Sequence, residues 1–387
     1  MKRLPLIALL VALGGSIYLL SAKGHTYLIH FSLWTVAFTV FAASIKKRAG
    51  RIVFLNLALL CALFAFLEGA LWLRAGLSEG GSFHRIKPHF EREMNSDHPV
   101  LGWAPEPGRR YKAKKTRGDE VLYDVNYTID ENGFRVTPPP QQEDAPAILF
   151  TGCSFTFGEG LNDEESYPYK VSQKLDGRYK VCNLAYSGYG AQQTLANIRH
   201  GLYKQALGES QPLAVVHLSI PDHPNRAAGA LSWGQRAPRF FFNSDGRLET
   251  TGTFETSGTT GEWLRYVRLK EAEKSELGQR LFSYRTSDED IELWIEMLNS
   301  ARREIQESYP DTPFLVVLLN SPDPATKRME EALKKSGLTY HLLYTDIPDM
   351  RDEKYKIPVD RHPNTLGTDK LADYMIDFVL KDVLKSR

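Results

Sequence analysis

The sequence predicts an α/β domain with a parallel sheet covered by helices on both faces, preceded by a small β-rich segment and three membrane helices. Three observations carry this. Apolar stretches Pro5–Ala22, Tyr27–Ile45 and Ile52–Leu73 all fall before residue 76. From Ala147 onward, short apolar runs alternate with amphipathic stretches, the pattern of strands buried on both sides. Charge divides in the same place: of 48 Lys+Arg and 47 Asp+Glu, residues 1–76 hold eight bases and one acid, leaving 40 and 46 for the rest. A near-neutral total gives no general attraction to nucleic acid. The 42% hydrophobic content excludes wholesale disorder, and three cysteines are too few for a disulfide scaffold.

Each N-terminal stretch, rising about 1.5 Å per residue, reaches roughly the 30 Å of a hydrocarbon core. The first begins with Lys2-Arg3, as a signal peptide would, but Leu20-Ser21-Ala22 lacks the small-x-small cleavage pattern. With two spans following, an uncleaved helix is expected. The positive-inside rule holds Lys2-Arg3 and the cluster Lys46-Lys47-Arg48…Arg51 in the cytoplasm. The loop Lys23–Thr26 then faces outward, and everything after Leu73 is extracytoplasmic, on the periplasmic side of a cell inner membrane. Glu68, five residues before Leu73, reads as an end-of-helix carboxylate reaching the interface. Cys61 reads as a packing residue.

Residues 77–146 form a lead-in: Val121–Ile129 is β-rich, Asp130-Glu131-Asn132-Gly133 supplies a turn, and Pro138–Asp144 reads as a linker. The α/β domain, 147–387, then predicts strands at Ile148–Phe150, Lys180–Ala185, Leu213–Ile220, Phe314–Leu319 and Tyr340–Tyr344. Helices are expected at Glu164–Leu175, Ala191–Gln205, Asp288–Ser308, Pro324–Ser336 and Leu366–Leu384. An insertion, Ala227–Leu281, leaves the end of the third strand, where open α/β sheets place ligands. It reads as a substrate-contacting lid or a passive hairpin.

Two places carry chemistry. Thr151-Gly152-Cys153-Ser154 directly follows the first buried strand, which puts a serine hydroxyl at the carboxyl edge of the sheet. The stretch lacks the Lys-Ser/Thr of a phosphate loop and is not a G-x-S-x-G elbow. Asp360-Arg361-His362 precedes the last helix, and a histidine beside a carboxylate can serve as an oriented general base. His217, Asp222 and His223 show no metal-ligand spacing, and no cofactor motif is present.

Together these residues resemble the SGNH, or GDSL, hydrolase superfamily over roughly Ala147–Lys385. The resemblance implies a flavodoxin-like α/β/α sandwich that cleaves or transfers acyl esters. It makes Ser154 the nucleophile, His362 the base and Asp360 its partner. Asn183–Gly190, after the second strand, matches the family's second block and gives the Gly188 N–H an oxyanion role. The lead-in blocks His98–Trp103 and Asn132–Arg135 resemble membrane-associated members, and the segment is expected to pack without doing chemistry.

There are departures. Cys153 replaces the usual Asp beside the nucleophile, and Asp360 precedes His362 by two residues where three is commonest. The third block normally offers an Asn to the oxyanion; here Asp222 stands there, and an ionised carboxylate would oppose the developing charge. Either His223, Asn225 or Arg226 substitutes for it, or Asp222 is itself protonated. Cys153 and Cys182 lie on neighbouring strands in a compartment that permits a bond, across a geometry that rarely suits one. The expected function is therefore a membrane-anchored serine esterase or O-acyltransferase acting on an acylated envelope or exported polysaccharide. The alternative is a degenerate glycan-binding or scaffolding protein of a polysaccharide export system. Expected partners are an acylated carbohydrate, the lipid bilayer and other export proteins, without nucleic acid.

Overall fold

In the computed structural model, which describes residues 4–21, 27–78 and 86–385, helices α1 (Leu4–Ser21), α2 (Tyr27–Ser44) and α3 (Arg48–Ser78) open the chain. Strands β1 (Ile86–Phe90), β2 (Ser96–His98), β3 (Gly102–Ala104), β4 (Arg110–Arg117) and β5 (Glu120–Thr128) form the lead-in. The α/β domain begins with β6 (Ala147–Thr151), α4 (Ser154–Phe157), α5 (Tyr167–Lys174), β7 (Lys180–Asn183), α6 (Ala191–Arg199), α7 (Tyr203–Leu207), β8 (Pro212–Ser219) and α8 (His223–Ala227). The insertion supplies β9 (Pro238–Phe242), β10 (Leu248–Thr253), α9 (Phe254–Ser257), α10 (Thr260–Ala272) and α11 (Glu276–Phe282). The rest is α12 (Asp288–Ser308), β11 (Phe314–Leu318), α13 (Pro324–Ser336), β12 (Thr339–Leu342), α14 (Leu343–Asp346), α15 (Thr365–Tyr374) and α16 (Lys381–Lys385).

The chain divides into two units. One comprises Met1–His84 with Leu264–Arg285, so the later part of the insertion belongs with the N-terminal helices. Among the described residues two helical windows, not three, are long and apolar enough to cross a membrane: Tyr27–Ser44 and Arg48–Arg74. Along the first expected span the described apolar window is the shorter Ile7–Ser16. The loop Lys23–Thr26 lies outside the described residues. Aromatic packing joins α2 to α3, with Phe31 stacked on Phe64 at 5.2 Å.

The other unit, Arg85–Trp263 with Thr286–Arg387, holds the lead-in and the α/β domain. Five parallel strands run in the order β12-β11-β8-β6-β7, the flavodoxin-like arrangement in which connections wind in opposite directions from β6. The period-2 alternation along β6 sends Leu149 to one core layer and Ile148 and Phe150 to the other. Cys182 and Cys153 divide the same way between those layers, and both are free thiols. The lead-in packs through an antiparallel β1-β4-β5 sheet. Asp130 closes the turn after β5 by accepting from the backbone N–H groups of Asn132 and Phe134, both at 2.9 Å.

Candidate active site

The carboxyl ends of β6 and β8 face the crevice where the winding reverses, the place where open α/β sheets bind ligands. Ser154 is delivered there by a turn that only glycine permits. Gly152 has φ +140°, and a Cβ on it would lie 2.7 Å from Leu218 O and from Thr156 Oγ1. Ser154 then opens α4, and its carbonyl accepts from the N–H groups of Gly158 and Glu159, both at 2.9 Å.

Arg135 props this turn from behind. Its buried guanidinium donates to the carbonyls of Phe157 (2.6 Å), Gly158 (2.7 Å) and Leu161 (2.6 Å) and pairs with Asp163 Oδ1 at 3.3 Å. The rings of Tyr127 and Phe157 lie 4.5 and 4.7 Å from it. Arg135→Ala strands three buried carbonyls together with the Asp163 carboxylate. Thermal or urea unfolding is expected to show a loss of about 3–5 kcal/mol; a loss below about 1 kcal/mol would deny the strut.

His362 and Asp360 sit in a loop whose backbone is held in an uncommon conformation. Val359 and Arg361, on either side of Asp360, have φ of +66° and +71°, strain that persists only when the surroundings over-determine it. Here Ile357 N–H donates to His362 O (2.8 Å) and Arg361 N–H to Ile357 O (2.9 Å). Asn364 caps α15 by accepting from Gly367 N–H (3.0 Å) while its amide holds the carbonyls of Lys354 and Lys356. These left-handed residues bring Asp360 and His362, only two apart, onto one hydrogen bond.

Ser154 Oγ lies 2.7 Å from His362 Nε2, and His362 Nδ1 lies 2.5 Å from Asp360 Oδ1. Phe155 packs against the imidazole with ring centroids 5.0 Å apart. Burial alone would raise the Asp360 carboxyl. The hydrogen bonds and charges of His362 and Lys115 outweigh it and hold the group down at about 2. Asp360 is thus ionised throughout the neutral range and stabilises an imidazolium when one forms.

Lys115, on β4 of the lead-in, is a neighbour of the site that no motif in the sequence marks. Its ammonium reaches Asp360 Oδ2 at 2.5 Å and Glu159 Oε1 at 3.2 Å. Burial opposes its charge, but the two carboxylates prevail and raise its pKa. Glu159 also accepts from Ser187 Oγ (2.8 Å) and Tyr123 OH (3.4 Å). Glu159, Asp360 and His362 bring ligand atoms within 4.8 Å of one another, and the Lys115 ammonium supplies the positive charge at that cluster.

In the turn after β7, Gly188 has φ +82°, and a Cβ there would meet Trp233 at 2.9 Å and Trp103 at 3.0 Å. Trp103 donates its indole N–H to Ser187 O at 3.0 Å and meets Trp233 edge-on at 6.2 Å. Trp233 is 51% exposed, and the Arg226 guanidinium lies 5.5 Å from its ring. The start of the insertion therefore borders this turn, whereas Leu264–Arg285 belongs to the other unit.

The third-block candidates separate. Asp222 is exposed, where water weakens its field on a developing oxyanion. His223 is corrected: it is fully buried, its Nδ1 lies 3.3 Å from Ser219 Oγ, and burial, Arg226 and His217 push its pKa well down. Its ring packs beside that of His217, with centroids 5.5 Å apart. The amide oxygen of Asn225 accepts from Thr286 Oγ1 at 2.8 Å and so ties α8 to the segment before α12, with its N–H groups still able to donate. A hydroxyl bonded to an imidazole, itself held by a carboxylate, can attack a carbonyl and pass its proton to a leaving group.

No family model matches the chain, and no curated protein matches it. Among solved structures, TesA is similar at 12% identity and a TM-score of 0.37, covering 61% of this chain and 99% of its own. The psychrotrophic esterase EstA from Pseudoalteromonas sp. is 13% identical with a TM-score of 0.36, covering 61% and 98%. A member of the lipolytic protein G-D-S-L family from Veillonella parvula is 10% identical with a TM-score of 0.34, covering 61% and 100%.

Proposed function

We propose that this protein is an SGNH-type serine hydrolase or acyltransferase that acts on an acylated carbohydrate while anchored to a membrane. The observation that carries the reading is the unbroken hydrogen-bonded chain Ser154–His362–Asp360. His362 Nε2 takes the proton as Ser154 Oγ attacks the acyl carbonyl. The N–H groups of Ser154 and Gly188 hold the tetrahedral oxygen. The imidazolium, steadied by Asp360, then protonates the departing alcohol. Water releases the acyl group from Ser154, or a sugar hydroxyl accepts it.

Three observations support the remaining parts. Trp233 offers an exposed aromatic surface beside Gly188, suited to the apolar face of a sugar ring. Helices α2 and α3 have the length and hydropathy to cross a membrane. The basic cluster Lys46–Arg51 at the start of α3 favours a cytoplasmic start and an extracytoplasmic α/β domain.

The test is acetate release from O-acetylated oligosaccharides by the full chain in detergent, with Ser154→Ala as the blank. Turnover that needs Ser154 supports the reading; turnover equal in both proteins overturns it. Trp233→Ala separates the sugar from the acyl group. KM for the acetylated oligosaccharide is expected to rise about tenfold, while kcat/KM for a small activated acetyl ester stays within about twofold. Equal losses on both substrates would remove the sugar contact.

A further inference from the structure

Within the helical unit, Glu68 does not behave as a charge reaching for water. It is 1% exposed, and its carboxylate accepts from Ser275 Oγ (2.7 Å), Glu276 N–H (2.7 Å) and Leu277 N–H (2.9 Å). Ser275 is the N-cap of α11 and accepts in turn from Gly278 N–H at 2.9 Å. The carboxylate thus meets the orphan donors and positive dipole end of a helix, the partners that make a buried charge tolerable. A second tie joins the same segments, Tyr27 OH donating to Glu271 Oε2 at 3.0 Å.

The depth of this junction follows from helix geometry. Seventeen residues separate Arg51 from Glu68 along α3, roughly 26 Å at 1.5 Å per residue. If Arg51 marks the cytoplasmic boundary of a hydrocarbon layer about 30 Å thick, Glu68 lies near the opposite one. The returning segment 264–285 is bound there. It carries Arg265, Arg268, Lys270, Lys274, Arg280 and Arg285 against Glu271, Glu273 and Glu276. Among its large apolar side chains Leu264, Leu281 and Phe282 are 55%, 63% and 48% exposed. Net positive charge with exposed Leu and Phe is the composition of helices that lie in a membrane interface.

We propose that residues 264–285 form an interfacial hairpin on an anionic bilayer, with Leu264, Leu281 and Phe282 entering the headgroup–acyl boundary and Glu68 fixing the depth at which it lies. This rests on the reading that α2 and α3 span the membrane. The chain of the α/β domain would then be tied to the bilayer at both ends of this segment as well as through α3.

Depth is read on the full chain in nanodiscs by spin-label power saturation, comparing collisions with oxygen and with a water-soluble nickel chelate. Single cysteines replace Leu264, Leu281, Phe282 or Leu59 in a Cys61→Ala background; Cys153 and Cys182 are buried. Labels at 264, 281 and 282 are expected to favour oxygen in discs containing phosphatidylglycerol, at about 5–10 Å below the headgroups, and to sit shallower in purely zwitterionic discs. A label at 59, on an exposed apolar position of α3, reports the span itself. Nickel access at 264, 281 and 282 with a deep label at 59 overturns the hairpin alone. Nickel access at 59 overturns the membrane reading beneath it. Equal depths in the two lipids overturn the role of anionic charge. Glu68→Gln and Glu68→Leu are expected to loosen the label at 282 while that at 59 stays deep; an unchanged 282 label in both overturns the anchoring role of Glu68.

Discussion

Ser154→Ala is expected to lower kcat/KM for ester hydrolysis by about 10⁴-fold or more, with the folded state intact. The estimate follows from Ser154 and His362 acting as one unit: removing either leaves only binding and oxyanion contacts. For the same reason His362→Ala should cost a similar factor, and the double variant little more than either single one. Steady-state rates on an activated acetyl ester, with thermal melts to confirm folding, check this. A Ser154→Ala variant within tenfold of the wild type would mean that another group performs the attack.

The next largest effect is expected at Lys115. Lys115→Met removes the ammonium that stands between Asp360 and Glu159 and leaves two carboxylates facing His362 without a fixed cation. That environment favours the imidazolium, so the acid limb of the pH–rate profile should move to higher pH. The loss at pH 6 should exceed the loss at pH 8. At neutral pH the fall in kcat is expected on the order of tenfold to hundredfold, part of what a positioned general base contributes. Lys115→Arg should restore much of the profile. A rate loss with no movement of the acid limb would give Lys115 a packing role only. Asp360 itself does not set that limb, because its carboxyl is held at about 2. With its folded pKa below the ordinary 3.8, its contribution to stability is present above about pH 4 and lost as pH falls toward 2.

Much of this architecture was legible because local signals agreed with the fold. The bounds of α12 and α13 match expectation: Ser287 and Asp290 form a capping box, while Asp323 caps a helix that begins with Pro324. Ser154, Asp360 and His362 could be singled out because each lies just beyond a buried strand or before a helix, where chemistry collects in α/β domains. Other features had no local signal. The helix expected over Ala191–Gln205 breaks between α6 and α7 near Gly201, which has φ +67°. The final helix is interrupted by a π-turn at Met375–Val379. Lys115 sits among Lys112, Lys114 and Arg117 on a strand that reads as solvated, and meets Asp360 across 245 residues of chain. Glu68 looked like a helix-end charge because its partner, the start of α11, lies 207 residues away. His223 looked available because no pattern within Asp222–Arg226 marks which side chain the core will cover.

The central claim is that Ser154 is an activated nucleophile served by His362. It is tested most directly by treating the full chain in detergent with a fluorophosphonate and mapping the adduct by peptide mass. A single phosphonyl adduct on Ser154 is expected, greatly slowed in His362→Ala and absent in Ser154→Ala. No adduct on Ser154, or one that forms equally fast without His362, would contradict the account.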